Sequence, residues 1–325
     1  MSVTALIKKR RHRTQDHMRI DQTDSHYPYD ICPNENLWSR IQVAPVQGVS
    51  LLNTCQSINP LKIFNPHDGG TTCHVVLSSY GGGFVTGDQI YFQVVCQPDS
   101  KLFLGTQAET KVYKSVYDQT SSQTIVGSLG KNALAVIAPD ALIPYAGSRF
   151  VQKQIWTLET TSCLILIDWI HSGRSALGED FQYDLLRSDI EIFVDGEKVI
   201  LDRLKIQPGY SSPFAPGAYG EYTSCFNMYL VGDACAPLIQ KINNVIKKGG
   251  AIPGYNEQKF CLPNDNAREE YFKGIWLGLN RMNDTCYVLR LLAREKQDIE
   301  PLLKIFFAEL ASKKLLGFNP LTRKL

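Results

Sequence analysis

Apolar and polar residues alternate in short runs along most of this chain, and the period is two rather than 3.6. Ile90, Phe92, Val94 and Cys96 alternate with Gln89, Tyr91, Gln93 and Gln97, the signature of a strand with one buried face. Similar stretches recur near 41–43, 49–52, 73–79, 101–107, 111–117, 124–128 and 133–138, with turn residues between them. Strands this short and this regularly spaced predict an all-β core rather than βαβ units. Longer strands are expected over 149–159 and 163–171. The second is apolar in both phases except at Asp168, which places it centrally in a sheet. Around Asp195-Gly196, Ile190, Ile192 and Val194 lead in and Val199-Ile200-Leu201 lead out. Asp-Gly supplies the positive φ values of a type I′ turn, so a hairpin is predicted there.

Helical periodicity is confined to two places. Residues 236–248 put Leu238, Ile239, Ile242, Val245 and Ile246 on one face, with Lys247 and Lys248 in the last turn and Gly249-Gly250 as a stop. The C-terminal helix has Asp298 as its expected cap and Pro301 in its first turn. Leu302, Leu303, Phe306, Phe307 and Leu310 form its apolar face, Lys313 and Lys314 complement its dipole, and Gly317 and Pro320 end it. Such a face either docks on its own core or fills a partner's groove. The fold class is therefore mainly β: many short strands in a large antiparallel or mixed core, with a few helices including this amphipathic terminal one.

One stretch breaks the alternation. Ser79-Tyr80-Gly81-Gly82-Gly83-Phe84-Val85-Thr86-Gly87-Asp88 holds Gly81, Gly82, Gly83 and Gly87 just before the 89–97 strand. Glycines this dense mark positive φ or a close approach of another chain segment. A nucleotide loop is excluded by context: no Lys-Ser or Lys-Thr follows Gly87, and Gly81, Gly83 and Gly87 are one residue too widely spaced for a dinucleotide turn. A structural turn feeding an antiparallel-type strand is the expectation.

Composition narrows the class further. At 325 residues the chain can bury a substantial core, and a net charge of +2 gives no general pull toward nucleic acid or membrane. Its longest aliphatic run, 164–167, is too short to span a bilayer. Residues 1–36 are basic near Lys8–Arg13 and lack periodicity, so a poorly ordered arm is expected, followed by a single domain over 37–325. The cysteines are odd in number and form no C-x-x-C, which fits reduced thiols and a cytoplasmic setting.

Candidate chemistry is sparse. No G-x-S-x-G appears, His67, His74 and His171 have no evident serine partner, and no His or Cys spacing suits a tight metal site. Carboxylates do stand where strand patterns prefer apolar residues: Asp88 after the glycine turn, Asp140 after Pro139, Asp168 inside the apolar strand, and Glu179 after Gly178. A buried carboxylate is costly unless paired or wetted. Two readings stay open for Asp168: a buried pair with Arg174 or Arg149, or a water-filled passage whose acids hold a divalent ion loosely. A β-rich enzyme using His171 or His74, or a protein-binding module without metal, are the alternatives.

Four ordered motifs now stand together: the glycine stretch, Thr106-Gln107-Ala108-Glu109-Thr110-Lys111-Val112-Tyr113-Lys114-Ser115, Asp168-Trp169-Ile170-His171-Ser172-Gly173-Arg174 with Gly178-Glu179, and Leu289-Arg290-Leu291-Leu292-Ala293-Arg294. In that order they resemble the urease accessory protein family UreD, called UreH in some bacteria. The wording around Asp168 is more similar to the plant and fungal branch. The resemblance runs from about 38 to 317 and includes Pro60-Leu61-Lys62-Ile63-Phe64. It implies a non-enzymatic, β-rich scaffold that binds the helical protein UreF and, through it, the GTPase UreG, and docks on apo-urease. It implies no tightly bound cofactor, only Ni²⁺ in transit through an internal channel. Asp88, Asp168, Glu179 and Asp140 become candidates for that path, and the C-terminal helix a candidate UreF-facing element.

Overall fold

The computed structural model describes residues 34–66, 70–215, 217–248, 252–253, 259–260 and 274–323. Expectations for the 1–33 arm, His67 and the Gly249-Gly250 stop therefore lie outside the described residues. Two sheets face one another. The first has seven strands, in the order β15 (Glu197–Ile206), β14 (Leu185–Val194), β12 (Arg149–Leu158), β9 (Ser121–Leu129), β6 (Gln89–Cys96), β1 (Trp38–Val46) and β2 (Val49–Gln56). The main path of the second runs β17 (Ile252–Pro253), β18 (Lys259–Phe260), β19 (Ile275–Arg281), β20 (Cys286–Ala293), β16 (Ser224–Val231), β13 (Cys163–His171), β10 (Leu134–Ala138), β7 (Lys101–Thr106), β4 (Cys73–Ser79) and β3 (Leu61–Phe64). Beside it lie β5 (Gly83–Phe84), β8 (Thr110–Val112) and β11 (Leu142–Pro144).

The strand pairing corrects one expectation. β6 is not antiparallel to its neighbours; it runs parallel to β1 and β9, and the series β6, β9, β12, β14 is parallel throughout. The cause is a chain that alternates between sheets: β6, then β7 opposite, then β9, β10, β12, β13 and β14. A parallel pair needs a long crossover connection, usually a helix. Here a strand of the facing sheet fills that role, so parallel order arises without βαβ units. The hairpins supply the antiparallel share, and the sheets are mixed. Asp195 (φ 48°) and Gly196 (φ 83°) make the expected turn between β14 and β15.

Burial follows from this winding. Phe92, Val94, Phe150, Trp156, Leu186 and Ile192 of the first sheet pack on Leu102, Leu104, Leu164 and Leu166 of the second. The opposite face of the second sheet is covered by α1 (Ala236–Lys248) and α2 (Glu300–Leu310), through Leu238, Ile242, Ile246, Phe306 and Phe307 against Phe103, Ile165, Ile167 and Phe226. A strand between two apolar layers has no polar face, and all nine residues of β13 are buried. Among the described residues no helix is long and apolar enough to cross a membrane.

Helix α2 differs from expectation at both ends. Asp298 does not cap it; its carboxylate accepts from the Glu295 N–H (3.0 Å) in a capping box that opens the 3₁₀ turn Lys296–Ile299. At the other end Lys313 and Lys314 lie beyond the last helical residue. The Lys101 ammonium of β7 instead donates to the carbonyls of Lys313 and Leu315, each at 2.8 Å. Leu302, Leu303, Phe306, Phe307 and Leu310 are all buried in the chain's own core, so they form no exposed partner-binding face.

The glycine turn uses both properties expected of it. Gly81, Gly82 and Gly87 have φ of 75°, 72° and 81°. Gly83 is extended, and a Cβ there would stand 2.5 Å from the Lys111 carbonyl oxygen. A Cβ at Gly82 meets nothing closer than the Tyr113 hydroxyl at 3.7 Å, so backbone strain is the cost the geometry assigns to Gly82→Val. We expect a loss of about 1–2 kcal/mol, read as a melting temperature lower by about 2–6 °C. An unchanged melting temperature refutes that assignment.

Candidate functional site: a buried polar row between the sheets

The four carboxylates singled out from sequence do not converge. Asp88 closes the glycine turn, its carboxylate accepting from the Val85 N–H (2.9 Å). Glu179 takes a forked ion pair from Arg174, whose guanidinium lies 4.1 Å from the centre of the Tyr145 ring. Hydrogen bonding to Arg174 holds the Glu179 carboxyl below its ordinary range. Asp140 bonds Thr106, its N–H donating to the hydroxyl (2.8 Å). It lines a groove of about 220 Å³ with Glu109, Trp169, Lys296, Lys304 and Phe307.

Asp168 is different. It sits on the inner face of β13, in phase with Leu164 and Leu166, and is 6% exposed. Neither Arg174 nor Arg149 pairs with it, contrary to one of the two sequence readings. Its oxygens accept from the Gln152 amide (2.6 Å) and the Ser188 hydroxyl (3.0 Å), both from the facing sheet. Gln152 also donates to Ser188 (2.7 Å), which fixes the three groups together. Burial pushes the Asp168 carboxyl up to about 6; the two hydrogen bonds oppose that shift and the nearby Asp202 carboxylate adds to it.

Asp168 also begins a row. Across β13, β16 and β20, residues Asp168, Asn227 and Arg290 stand directly opposite one another on the inner face. Arg290 donates to Asn227 (3.3 Å) and to Asp202 of β15 (2.7 Å), and the Tyr229 hydroxyl donates to the same Asp202 oxygen (2.6 Å). Asp168 and Asn227 are buried, and the row reaches the surface only at Arg290, whose side chain is 44% exposed. Beside it Cys225 shares the inner phase of β16, and burial, then the Asp168 carboxylate, pushes its thiol up to about 12. The result is a polar track through an otherwise apolar sandwich. Among the described residues no group of three or more His, Cys, Asp or Glu could hold a metal ion.

The raised Asp168 pKa has a testable sign. The folded state binds this proton more tightly than the unfolded chain, so the carboxyl's contribution to stability falls as pH rises from about 4 through about 6. Asp168→Asn lacks that loss. Its stability relative to the unmodified chain should increase between pH 4 and pH 7 by up to about 3 kcal/mol in denaturant titrations. A difference that does not vary with pH contradicts the burial argument.

Sequence reading missed most of the row. Gln152 and Ser188 had a usable signal: each is a polar residue in the inward phase of an alternating strand, between Phe150 and Gln154 and between Leu186 and Ile190. Arg290 had one as well, as the single charge in the apolar run 286–293, but Asp202 had none, since only the topology brings β15 over β20. His171, expected to lack a serine, has Ser175 Oγ at 3.0 Å from Nε2. That hydroxyl also bonds Asp180, as does Ser172. The acid thus holds the serine instead of orienting the imidazole, which is not the arrangement of a nucleophilic triad.

The UreD urease accessory protein family model matches residues 38–324. The chain belongs to the UreD family. Among relatives, the urease accessory protein UreD of Cytophaga hutchinsonii is 31% identical over 283 residues, covering 87% of this chain and 96% of that protein. Urease accessory protein D of Arabidopsis thaliana is 33% identical over 178 residues, 52% of this chain and 60% of its own. The rice (indica) protein of the same description is 27% identical over 212 residues, 64% and 69% respectively. UreD membership makes this chain an accessory factor in urease maturation rather than an enzyme, and the hydrolase-like alternative is set aside.

Proposed function

We propose that this chain is a cytoplasmic scaffold that works with UreF-type and UreG-type proteins on apo-urease, and that Ni²⁺ passes through it along the polar row at Asp168. The observation that carries this reading is the buried carboxylate itself. Among the described residues Asp168 has neutral hydrogen-bond donors and no cationic partner of its own, in a row whose far end reaches the surface. A buried carboxylate is costly without a counter-charge, and hydrogen bonds from neutral groups offset that cost only in part. One left without a counter-charge can offer oxygen to a passing divalent cation. Asp88 and Glu179, tied to a backbone N–H and to Arg174, support the loops of the motifs that carry them and do not line this row. Asp140 remains a candidate for a groove on the helix side of the second sheet.

The UreF-facing surface is also revised. With the apolar stripe of α2 buried, a partner reaches that helix through its outer residues, Glu300, Lys304 and Ala308. The non-metal binding-module reading differs in one outcome. Co-expression of urease with the other accessory proteins, with and without this chain, yields active urease only in its presence on either reading. Substitution of Asp168 reduces that activity on the nickel-path reading alone.

A further inference from the structure

Arg290 lies in one of the motifs that mark the family and stands at the outer end of the polar row. Its position is unusual among the ion pairs of the described residues. Arg187–Asp189 and Lys198–Glu191 stay within the first sheet, whereas Arg290–Asp202 joins the facing sheets. The guanidinium cannot lose its proton, and it is anchored by two acceptors, Asp202 and Asn227. Its side chain is 44% exposed, so it can swing outward without crossing the core. Behind it lie Tyr229, Asp168 and Cys225, and the charges do not balance there: Asp168 and Asp202 share the interior with one guanidinium, which pairs with only one of the two acids, Asp202.

A second observation points to a ligand in the same place. Tyr183 is 2% exposed, and its hydroxyl has no hydrogen-bond partner among the described residues. It lies within electrostatic reach of Cys225 and Tyr219, and Tyr219 in turn within reach of Asp168. A buried hydroxyl left unpaired within reach of a thiol, with Tyr219 between it and the Asp168 carboxylate, is a polar group short of a partner.

We infer that Arg290 is a tethered stand-in cation, which holds the outer end of the Asp168–Asn227–Arg290 row until a divalent cation displaces it from Asp202. Its departure frees the Asp202 carboxylate and the Asn227 carbonyl oxygen together, with the Tyr229 hydroxyl beside them. These are oxygen ligands for a cation of hard or borderline character, with the Cys225 sulfur one step further in. A doubly charged ion also matches two carboxylates where one guanidinium does not. The arrangement offsets the charge of Asp202 and makes entry a competition between cations for the same carboxylate oxygen. The inference rests on the cation-path reading, which it supplies with a gate.

The test is Ni²⁺ alone, titrated into the purified full chain against a chromophoric chelator, with melting curves to verify folding. Arg290→Gln, which removes the competing charge, should bind Ni²⁺ about tenfold more tightly than the unmodified chain. Arg290→Lys keeps a charge but loses the fork that reaches both acceptors, and should tighten binding by about threefold; it serves as the deciding variant if the glutamine form does not fold. Asp202→Asn should weaken binding. Unchanged or weaker Ni²⁺ binding in the Arg290 variants overturns the inference. If they bind as the unmodified chain does while Asp168→Ala abolishes urease activation, the gate is wrong and the path stands. If they bind more tightly while Asp168→Ala activates urease fully, the stand-in cation stands and the path is wrong.

Discussion

A chain lacking residues 298–325 should fail to fold, rather than fold and lose one partner. The deletion removes Ile299, Leu302, Leu303, Phe306, Phe307, Leu310, Leu315 and Leu316, all buried. At about 1.5–3 kcal/mol for each buried apolar side chain, their loss is about 12–24 kcal/mol, as large as the whole of the about 5–15 kcal/mol by which a domain is stable or larger. It also bares the face of the second sheet that carries Phe103, Ile167 and Phe226. The expected product is insoluble, or soluble without a cooperative melting transition. Loss of UreF-type association in such a truncation would follow from unfolding. A soluble truncated chain with an unchanged transition contradicts this placement of α2. Substitutions on the outer face, such as Lys304→Glu, leave the core intact and are the proper probe of a partner there.

Asp168→Ala should lower urease activation at least tenfold in co-expression while the chain stays folded. Folding survives because the substitution removes a carboxylate that burial already disfavours, and Gln152 and Ser188 still hydrogen-bond each other. Asp168→Asn keeps the shape and loses the charge. An equal loss of activation in both variants assigns the effect to the negative charge. Full activation by the alanine form removes Asp168 from the cation path. Asp88→Asn is the contrast, because the amide oxygen can still accept from Val85 and little change in activation is expected.

Local rules carried the sequence reading a long way. The β14–β15 hairpin was legible in Asp195-Gly196 because two positive φ values in a row are demanded by one turn type. The central place of β13 was legible because a strand apolar in both phases must be covered on both faces. Both helices were legible from their stripes. What failed was everything that depends on which strands meet. The parallel order of β6 and β9 comes from a connection routed through the opposite sheet, and period-two alternation is the same in either pairing. An apolar helix stripe does not say whether its cover is the chain itself or a partner, and α2 proved to be covered from within. The polar row is assembled from six strands of two sheets, so no window of sequence contains it. Asp168 stood out because its strand had no other polar residue before His171, while Asp202 sat in a half-polar strand where a charge is ordinary.

The central claim is that this chain delivers nickel to urease, and nickel per urease active site measures it most directly. Urease should be purified from cells expressing all the accessory proteins with the unmodified chain, with Asp168→Ala, or with no copy of this chain. The account predicts urease replete in nickel in the first case and nearly nickel-free in the other two, with the Asp168→Ala protein present and folded in the cell. Urease that fills with nickel without this chain, or equally well with Asp168→Ala, contradicts it.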